Sequence, residues 1–315
     1  MADRRAAVLV MAYGTPQRHE DIEAYYTHIR RGTPPEPAAL RDLQDRYRAL
    51  GGVSPLRRIT EGQATGIQEA LDERSPGEYR VHLGLKHAAP FIEDGAQAIV
   101  GAAHQRAVGL VLAPHHSRMG VGAYHRRAAA AIGDALPYVG VGSWHLHPGY
   151  VDLVARSVAE ALDRIRGDRR ERTHVLFTAH SLPASIVEEG DRYPVQLRES
   201  AQATTARLEE LGVDLPLRPS IAWQSAGRTA DRWLGPDLLD VIPKLAEAHD
   251  LRAVVVAPVG FVSDHLEVLY DVDIQARGVA EQHGLVLERT EMPNTQPRFL
   301  DLLADVITDA DGAAA

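Results

Sequence analysis

The chain reads as an α/β protein made of two similar halves. Three observations carry this. Short apolar runs alternate with amphipathic stretches of helical period along nearly all 315 residues. The halves echo each other. Val8-Leu9-Val10-Met11-Ala12-Tyr13-Gly14-Thr15-Pro16 has the form of Val175-Leu176-Phe177-Thr178-Ala179-His180-Ser181-Leu182-Pro183. Val111-Leu112-Ala113-Pro114-His115 is matched, in the same order, by Val255-Val256-Ala257-Pro258-Val259. Finally, at about 150 residues per domain the length suits two domains.

The first strand is Ala6–Met11. Met1-Ala2-Asp3-Arg4-Arg5 ahead of it has neither an apolar signal core nor a cleavage pattern. Further runs with the length and flanks of buried parallel strands are Tyr79–Leu85, Val108–Ala113, Tyr138–Trp144, His174–Ala179, Ser220–Trp223, Ala253–Pro258 and the weaker Leu285–Leu287. Helical patterns between them cover Arg18–Arg31, Pro37–Leu50, Thr60–Glu73, Phe91–His104, Ala123–Ala135, Tyr150–Arg166, Tyr193–Leu211, Leu234–His249 and Glu267–His283. Pro297–Asp309 closes the chain as a helix, and Ala310–Ala315 is expected to fray. Such alternation implies mostly parallel sheets covered on both faces. His145-Leu146-His147-Pro148-Gly149 breaks the pattern, so the expected domains are residues 1–146 and 147–315.

Ligands of open α/β sheets bind beyond the carboxyl ends of the strands. Four such ends carry Tyr13, Lys86-His87, His115-His116 and His180, so the cleft between the two sheets is the expected site. The 34 basic and 43 acidic residues leave a net charge of −9. That argues against a nucleic-acid or anionic-membrane surface, though not against a small anion in a local basic cluster. There is no cysteine, which removes disulfides, thiolate zinc sites, cysteine nucleophiles and Cys-ligated iron–sulfur clusters. Any metal must use the 15 histidines, carboxylates or other oxygens. No apolar run reaches the ~18 residues of a membrane span, so the expected location is the cytoplasm.

Three groups carry chemistry. His180 is delivered by a strand end into a loop closed by Pro183; it is either a functional imidazole or a structural one bonded to nearby backbone. Glu267, Asp271 and Gln275 recur at i, i+4, i+8, with Asp264 one turn earlier. Such a row relays cations or protons, or it is a solvated helix face with acidic residues favouring the helix dipole. Arg30, Arg31, Arg46 and Lys86 form a basic group; beside His87, Lys86 points to an anion.

Together, Met11–Pro16, Tyr25–Gly32, Gly51–Leu56, Gly84–His87, the His180 loop, Trp233–Asp237 and Gly260–Asp271 resemble the ferrochelatase family over nearly the whole chain. The likeness is greatest to the soluble, monomeric coproporphyrin III type of Gram-positive bacteria. It implies two Rossmann-like, chelatase-type domains with the porphyrin in the cleft and the last helix (about 297–309) packed back on the first domain. It implies a lyase that inserts Fe2+ into coproporphyrin III, giving Fe-coproporphyrin. The alternatives are protoporphyrin IX, another divalent metal, or a non-catalytic tetrapyrrole or haem carrier. By the same resemblance His180 and Glu267 are the inner metal and catalytic pair, and Tyr13 faces the metal from the other side. Arg30, Arg31, Arg46, Ser54 and Tyr124 lie near the porphyrin, joined by Lys86 and His87 from the basic group. Asp264 and Asp271 mark an outer metal or proton path, and transient contacts with neighbouring haem-pathway enzymes are expected. Two departures stand out. Gln275 replaces a carboxylate, which weakens an outer Mg2+ site. His116, Arg118 and Gly120 to Gly122 replace apolar or hydroxyl residues before Tyr124.

Overall fold

The computed structural model describes residues 6–215, 217–227 and 229–314; the readings that fall on Met1–Arg5 and Ala315 lie outside the described residues. In chain order the elements are β1 (Ala6–Ala12), α1 (Ile22–Ile29), α2 (Pro37–Ala49), α3 (Leu56–Arg74), β2 (Tyr79–Leu85), α4 (Ile92–Gly101), β3 (Arg106–Val111), α5 (Val121–Ile132), β4 (Tyr138–Gly140), α6 (Pro148–Arg164), β5 (Thr173–His180), α7 (Ser185–Glu188), α8 (Tyr193–Glu210), β6 (Ser220–Gln224), α9 (Leu238–His249), β7 (Ala253–Ala257), α10 (Leu266–Leu269), a π-helical stretch (Asp271–Ala276), α11 (Arg277–Gln282), β8 (Val286–Arg289) and α12 (Pro297–Ala314). They fall into two compact units. The first is Met1–Trp144 with Ser263–Leu266 and Asn294–Ala315; the second is His145–Val262 with Glu267–Pro293.

The first unit holds a four-stranded sheet in the order β2-β1-β3-β4, and the second a sheet in the order β6-β5-β7-β8. Every pairing between these strands is parallel. The orders are equivalent: the echoed strands β1 and β5 take the second place in their sheets, and β3 and β7 the third. All seven residues of β1 and all five of β7 are buried, as strands covered on both faces must be. The edge strand β2 is satisfied partly by a side chain. Gln68 of α3 donates from Nε2 to Tyr79 O at 3.1 Å and accepts from Val81 N–H at 2.8 Å.

In the first unit, α12 lies against α3. A Cβ at Gly66 would sit 2.2 Å from Leu300 Cδ1, so any larger residue there would push the Leu300 side chain aside. Arg74 pairs with Asp305 at 2.8 Å, and Phe299 meets the Trp144 ring 6.0 Å away. The helix does not fray at residue 310. Asp311 is buried, accepts from the Tyr79 phenol at 2.9 Å and pairs with Arg106 at 2.6 Å, which carries the helix to Ala314.

Three other expectations are corrected. The expected helix over Arg18–Arg31 is one 3-10 turn, His19–Asp21, followed by α1; Arg18 N–H bonds Asp21 and starts the turn. The expected strand Tyr138–Trp144 ends at Gly140. Trp144 instead gives its backbone N–H to Pro114 O and its indole N–H to Val111 O. The expected helix over Glu267–His283 is broken by the π-helical stretch, where Gln275 N–H reaches back five residues to Tyr270 O. Among the described residues no helix is long and apolar enough to cross a membrane.

Candidate active site

In the second unit the chemistry gathers at the carboxyl ends of β5 and β6. His180 ends β5. Its Nδ1–H donates to Ser181 O, which directs Nε2 to Glu267, 3.5 Å from Oε1. The loop after β7 comes this close because residue 260 is glycine: a Cβ there would lie 2.5 Å from Ala179 Cβ. Gln224 ties three elements together. It accepts from the Thr178 hydroxyl of β5 at 2.7 Å and donates to Glu267 O at 2.9 Å. Ser225 donates to Asp271, which is 7% exposed. Asp273 is drawn away by Arg289, which grips both its oxygens at 2.8 and 2.9 Å.

These charges set the proton on His180. Burial alone would lower its pKa. The Glu267 carboxylate, by charge and hydrogen bond, then the Ser181 carbonyl and the charge of Asp271 more than reverse this and raise it to about 8. The imidazole is therefore held in its charged form at neutral pH. Among the described residues no group of three or more His, Asp or Glu is arranged to hold a metal ion. The pair at this strand end is one imidazole and one carboxylate, His180 and Glu267.

The first unit has its own group at the carboxyl ends of β1 and β2. Backbone pairing runs past both strands, from Lys86 N–H to Ala12 O and from His87 N–H to Tyr13 O. This sets the Tyr13 and His87 rings 4.6 Å apart, with Tyr13 41% exposed. His28 joins His87 through their Nδ1 atoms at 3.0 Å and stacks on Phe91. The Lys86 ammonium lies 5.0 Å from the Tyr124 ring centre and 5.9 Å from that of Tyr13. Burial, then Arg127, Arg126 and Arg31, push the Lys86 pKa down. Burial, Lys86, His28 and Arg127 push His87 down to about 3, so it is neutral.

A family model described as Ferrochelatase matches residues 5–311. The chain belongs to the ferrochelatase family. It is 45% identical over 311 residues to the coproporphyrin III ferrochelatase of Bacillus subtilis (strain 168), covering 98% of each chain. It is 44% identical over 311 residues to that of Geobacillus kaustophilus (strain HTA426), covering 98% of this chain and 96% of the relative. Among solved structures, SirB from Bacillus subtilis with Fe3+ aligns with a TM-score of 0.56 at 11% identity over 98% of both chains. CbiX, the terminal enzyme of sirohaem biosynthesis in denitrifying bacteria, aligns at 0.53 with 16% identity, over 96% of this chain and 99% of that one. At such identities the likeness is one of fold.

In this ferrochelatase chain the expected residues have unequal surroundings. His180, Glu267 and Asp271 come together in the second unit; Tyr13, Lys86, His87 and Tyr124 come together in the first. Arg30 bonds Thr33 O and lies over the Tyr26 ring, and Arg31 has a left-handed backbone, φ 57°. Arg46 is held by Asp42 at 3.0 Å. Ser54 is buried and accepts from Leu56 N–H at 3.2 Å, opening α3. Asp264 precedes α10 and is clasped by Asn294, which accepts from its N–H at 2.8 Å and donates to its carboxylate at 2.7 Å. Arg118 is exposed and gives its carbonyl to Arg126 at 2.9 Å. The sequence reading missed Gln224, Ser225 and His28. Gln224-Ser225 directly follows the strand that it ended at Trp223, and His28 stands inside the quoted motif Tyr25–Gly32.

Proposed function

We propose that this chain inserts Fe2+ into coproporphyrin III, forming Fe-coproporphyrin. The observation that carries the reading is the His180–Glu267 pair, an imidazole at the end of β5 and a carboxylate on α10 at 3.5 Å, in a ferrochelatase-family chain. The naming of the relatives supports the choice of porphyrin.

Metallation removes two pyrrole protons and strips water from the ion. His180 accepts a proton only in its neutral form, so it must first lose the proton held by Glu267 and Asp271. Those carboxylates are the next acceptors outward, and both protons leave to solvent by that row. The same imidazole and Glu267 take Fe2+ through nitrogen and oxygen. Such a site binds Zn2+ and Cu2+ more tightly than Fe2+, so metal supply rather than affinity sets selectivity. Tyr13, Lys86, His87, Tyr124, Arg30, Arg31, Arg46 and Ser54 meet the porphyrin. Four propionates suit this basic group better than two. Mg2+ acts weakly at best, because Gln275 is neutral. The reading further places the enzyme in the cytoplasm as a monomer that meets neighbouring haem-pathway enzymes transiently.

The test is anaerobic metallation of the purified protein with coproporphyrin III and protoporphyrin IX, each offered Fe2+, Zn2+ and Co2+, followed by absorbance. Faster turnover of coproporphyrin III with Fe2+ is expected. Preference for protoporphyrin IX would overturn the substrate, and binding without turnover would favour the carrier.

A further inference from the structure

We propose that His82 and His104 form a second, two-imidazole site for a late first-row divalent ion, Zn2+ or Cu2+, in the first unit. It is separate from the residues assigned above. His82 stands in the middle of β2, about 13 Å along the strand from Lys86, and His104 follows α4.

The two Nε2 atoms face each other at 3.2 Å, with ring centres 5.3 Å apart and planes at 81°. An ion held about 2.0–2.1 Å from two nitrogens at a tetrahedral angle spans them by about 3.3 Å. The pair already has that spacing, and the ion takes the place of the shared proton after a small turn of the rings. The proton that one Nε2 donates moves to Nδ1 of the same ring. No net proton is released by that shift.

The backbone builds this arrangement at a cost. Ala103, just after α4, has φ 56°, a left-handed conformation unfavourable for a residue with a Cβ, and it delivers His104 to His82. On β2, Arg80, His82 and Gly84 share one face by the period of the strand. Gly84 has no side chain, and a Cβ there would lie 2.8 Å from Ile92 Cα, so α4 packs close and its C-terminal end comes level with His82. His82 is neutral at pH 7, since burial, then His104 and Arg80, lower its pKa to about 4.

The donor set decides the ion. Two imidazoles beside the Arg80 cation suit a hard, oxygen-seeking ion such as Mg2+ poorly. Imidazole nitrogen suits Cu2+, Zn2+ and Ni2+, and Fe2+ stands below all three in affinity. The pair therefore takes competitors of the ferrous substrate in preference to Fe2+ itself, with water in the remaining positions.

Zn2+ alone is titrated against a chromogenic chelator into the unmodified protein, His82→Gln, His104→Gln and His180→Ala. The unmodified protein should bind one equivalent more than either pair variant, or bind it at least ten-fold more tightly. His180→Ala should keep that equivalent. Zn2+ should raise the melting temperature of the unmodified protein and of His180→Ala, but not of His82→Gln. Metal insertion by His82→Gln and His104→Gln in Zn2+-free buffer should match the unmodified rate. Equal Zn2+ stoichiometry and affinity in the unmodified protein and the pair variants overturns the site. Should the variants not fold, the electron paramagnetic resonance of one equivalent of Cu2+ on His180→Ala combined with His28→Gln decides: two coupled nitrogens support the site, and fewer overturn it.

Discussion

The hydroxyl of Ser225 meets the carboxylate of Asp271 at 2.5 Å, and Ser225 makes this bond from a left-handed backbone, φ 60°. A residue with a Cβ is costly there, and the bond to a charged acceptor, worth about 1.5–3 kcal/mol, offsets that cost. Ser225→Ala keeps the backbone cost and loses the bond. Ser225→Gly loses the bond and relieves the backbone. Both should slow metal insertion about ten-fold, but only Ser225→Ala should lower the melting temperature clearly. Unchanged rates in both would remove Asp271 from the proton path.

His180 supplies the pH dependence. Its pKa near 8 is held up by Glu267, Ser181 O and Asp271 against burial. The neutral imidazole is the active form, so initial rates should rise with pH and level off above about 8. Glu267→Gln removes the largest raising influence, so the midpoint should fall while the plateau drops. His180→Ala should lose more than nine-tenths of turnover with porphyrin binding retained, since a positioned base is worth roughly 10²–10⁴-fold. A flat profile between pH 6 and 9 in the unmodified protein contradicts this role.

Lys86 and Arg46 should differ. Lys86 is half-buried among Tyr13, Tyr124 and three arginines, whereas Arg46 already has Asp42. Lys86→Ala should weaken coproporphyrin III about ten-fold, a loss of ~1.4 kcal/mol, and protoporphyrin IX less. Arg46→Ala should cost less than Lys86→Ala for both. Fluorescence-quench titrations read these constants. Equal losses for the two porphyrins would show that neither residue distinguishes four propionates from two.

Gln275 sits in the π-helical stretch, and Asp273 is held by Arg289. The outer row therefore offers Asp271 alone beside Glu267. Added Mg2+ should change the initial rate little. Gln275→Glu supplies the missing oxygen charge and should make the rate respond to Mg2+. Glu267→Gln should impair insertion at every Mg2+ concentration. A strong Mg2+ response in the unmodified protein rules out a weakened outer site.

Asp311 ties the C-terminal helix to the first sheet. Hydrogen bonds from Arg106 outweigh burial and, with Tyr79, lower its pKa. A carboxyl lowered in the folded state adds stability above its unfolded pKa, about 3.9, and that stability is lost as pH falls through the folded value. Asp311→Asn should cost about 2 kcal/mol at pH 7 and much less near pH 2. Denaturant midpoints at the two pH values provide the comparison. A cost independent of pH means packing rather than charge carries the contact.

The sequence by itself marked out most of the strands and the α/β plan of two similar halves, and singled out His180 and Glu267 as a candidate pair. A strand covered on both faces must be apolar throughout, so Ala6–Ala12 and Ala253–Ala257 stand out from their neighbours without any partner being known. His180 and Glu267 stood out because they interrupt or flank apolar runs, and their pairing was what the family resemblance implied. Tertiary structure decided what depends on distant partners. Asp264 looked like the head of an acidic row until Asn294, thirty residues on, claimed it. Asp273 was claimed in the same way by Arg289. Ser225 and His28 look ordinary locally; their roles exist only because Asp271 and His87 are brought to them. Asp311 looked like part of a loose tail, and Tyr79 with Arg106 made it an anchor. Local periodicity reports which face of an element is buried. It does not report which polar group waits on the other side, because that partner is set by how the chain closes on itself across tens to hundreds of residues.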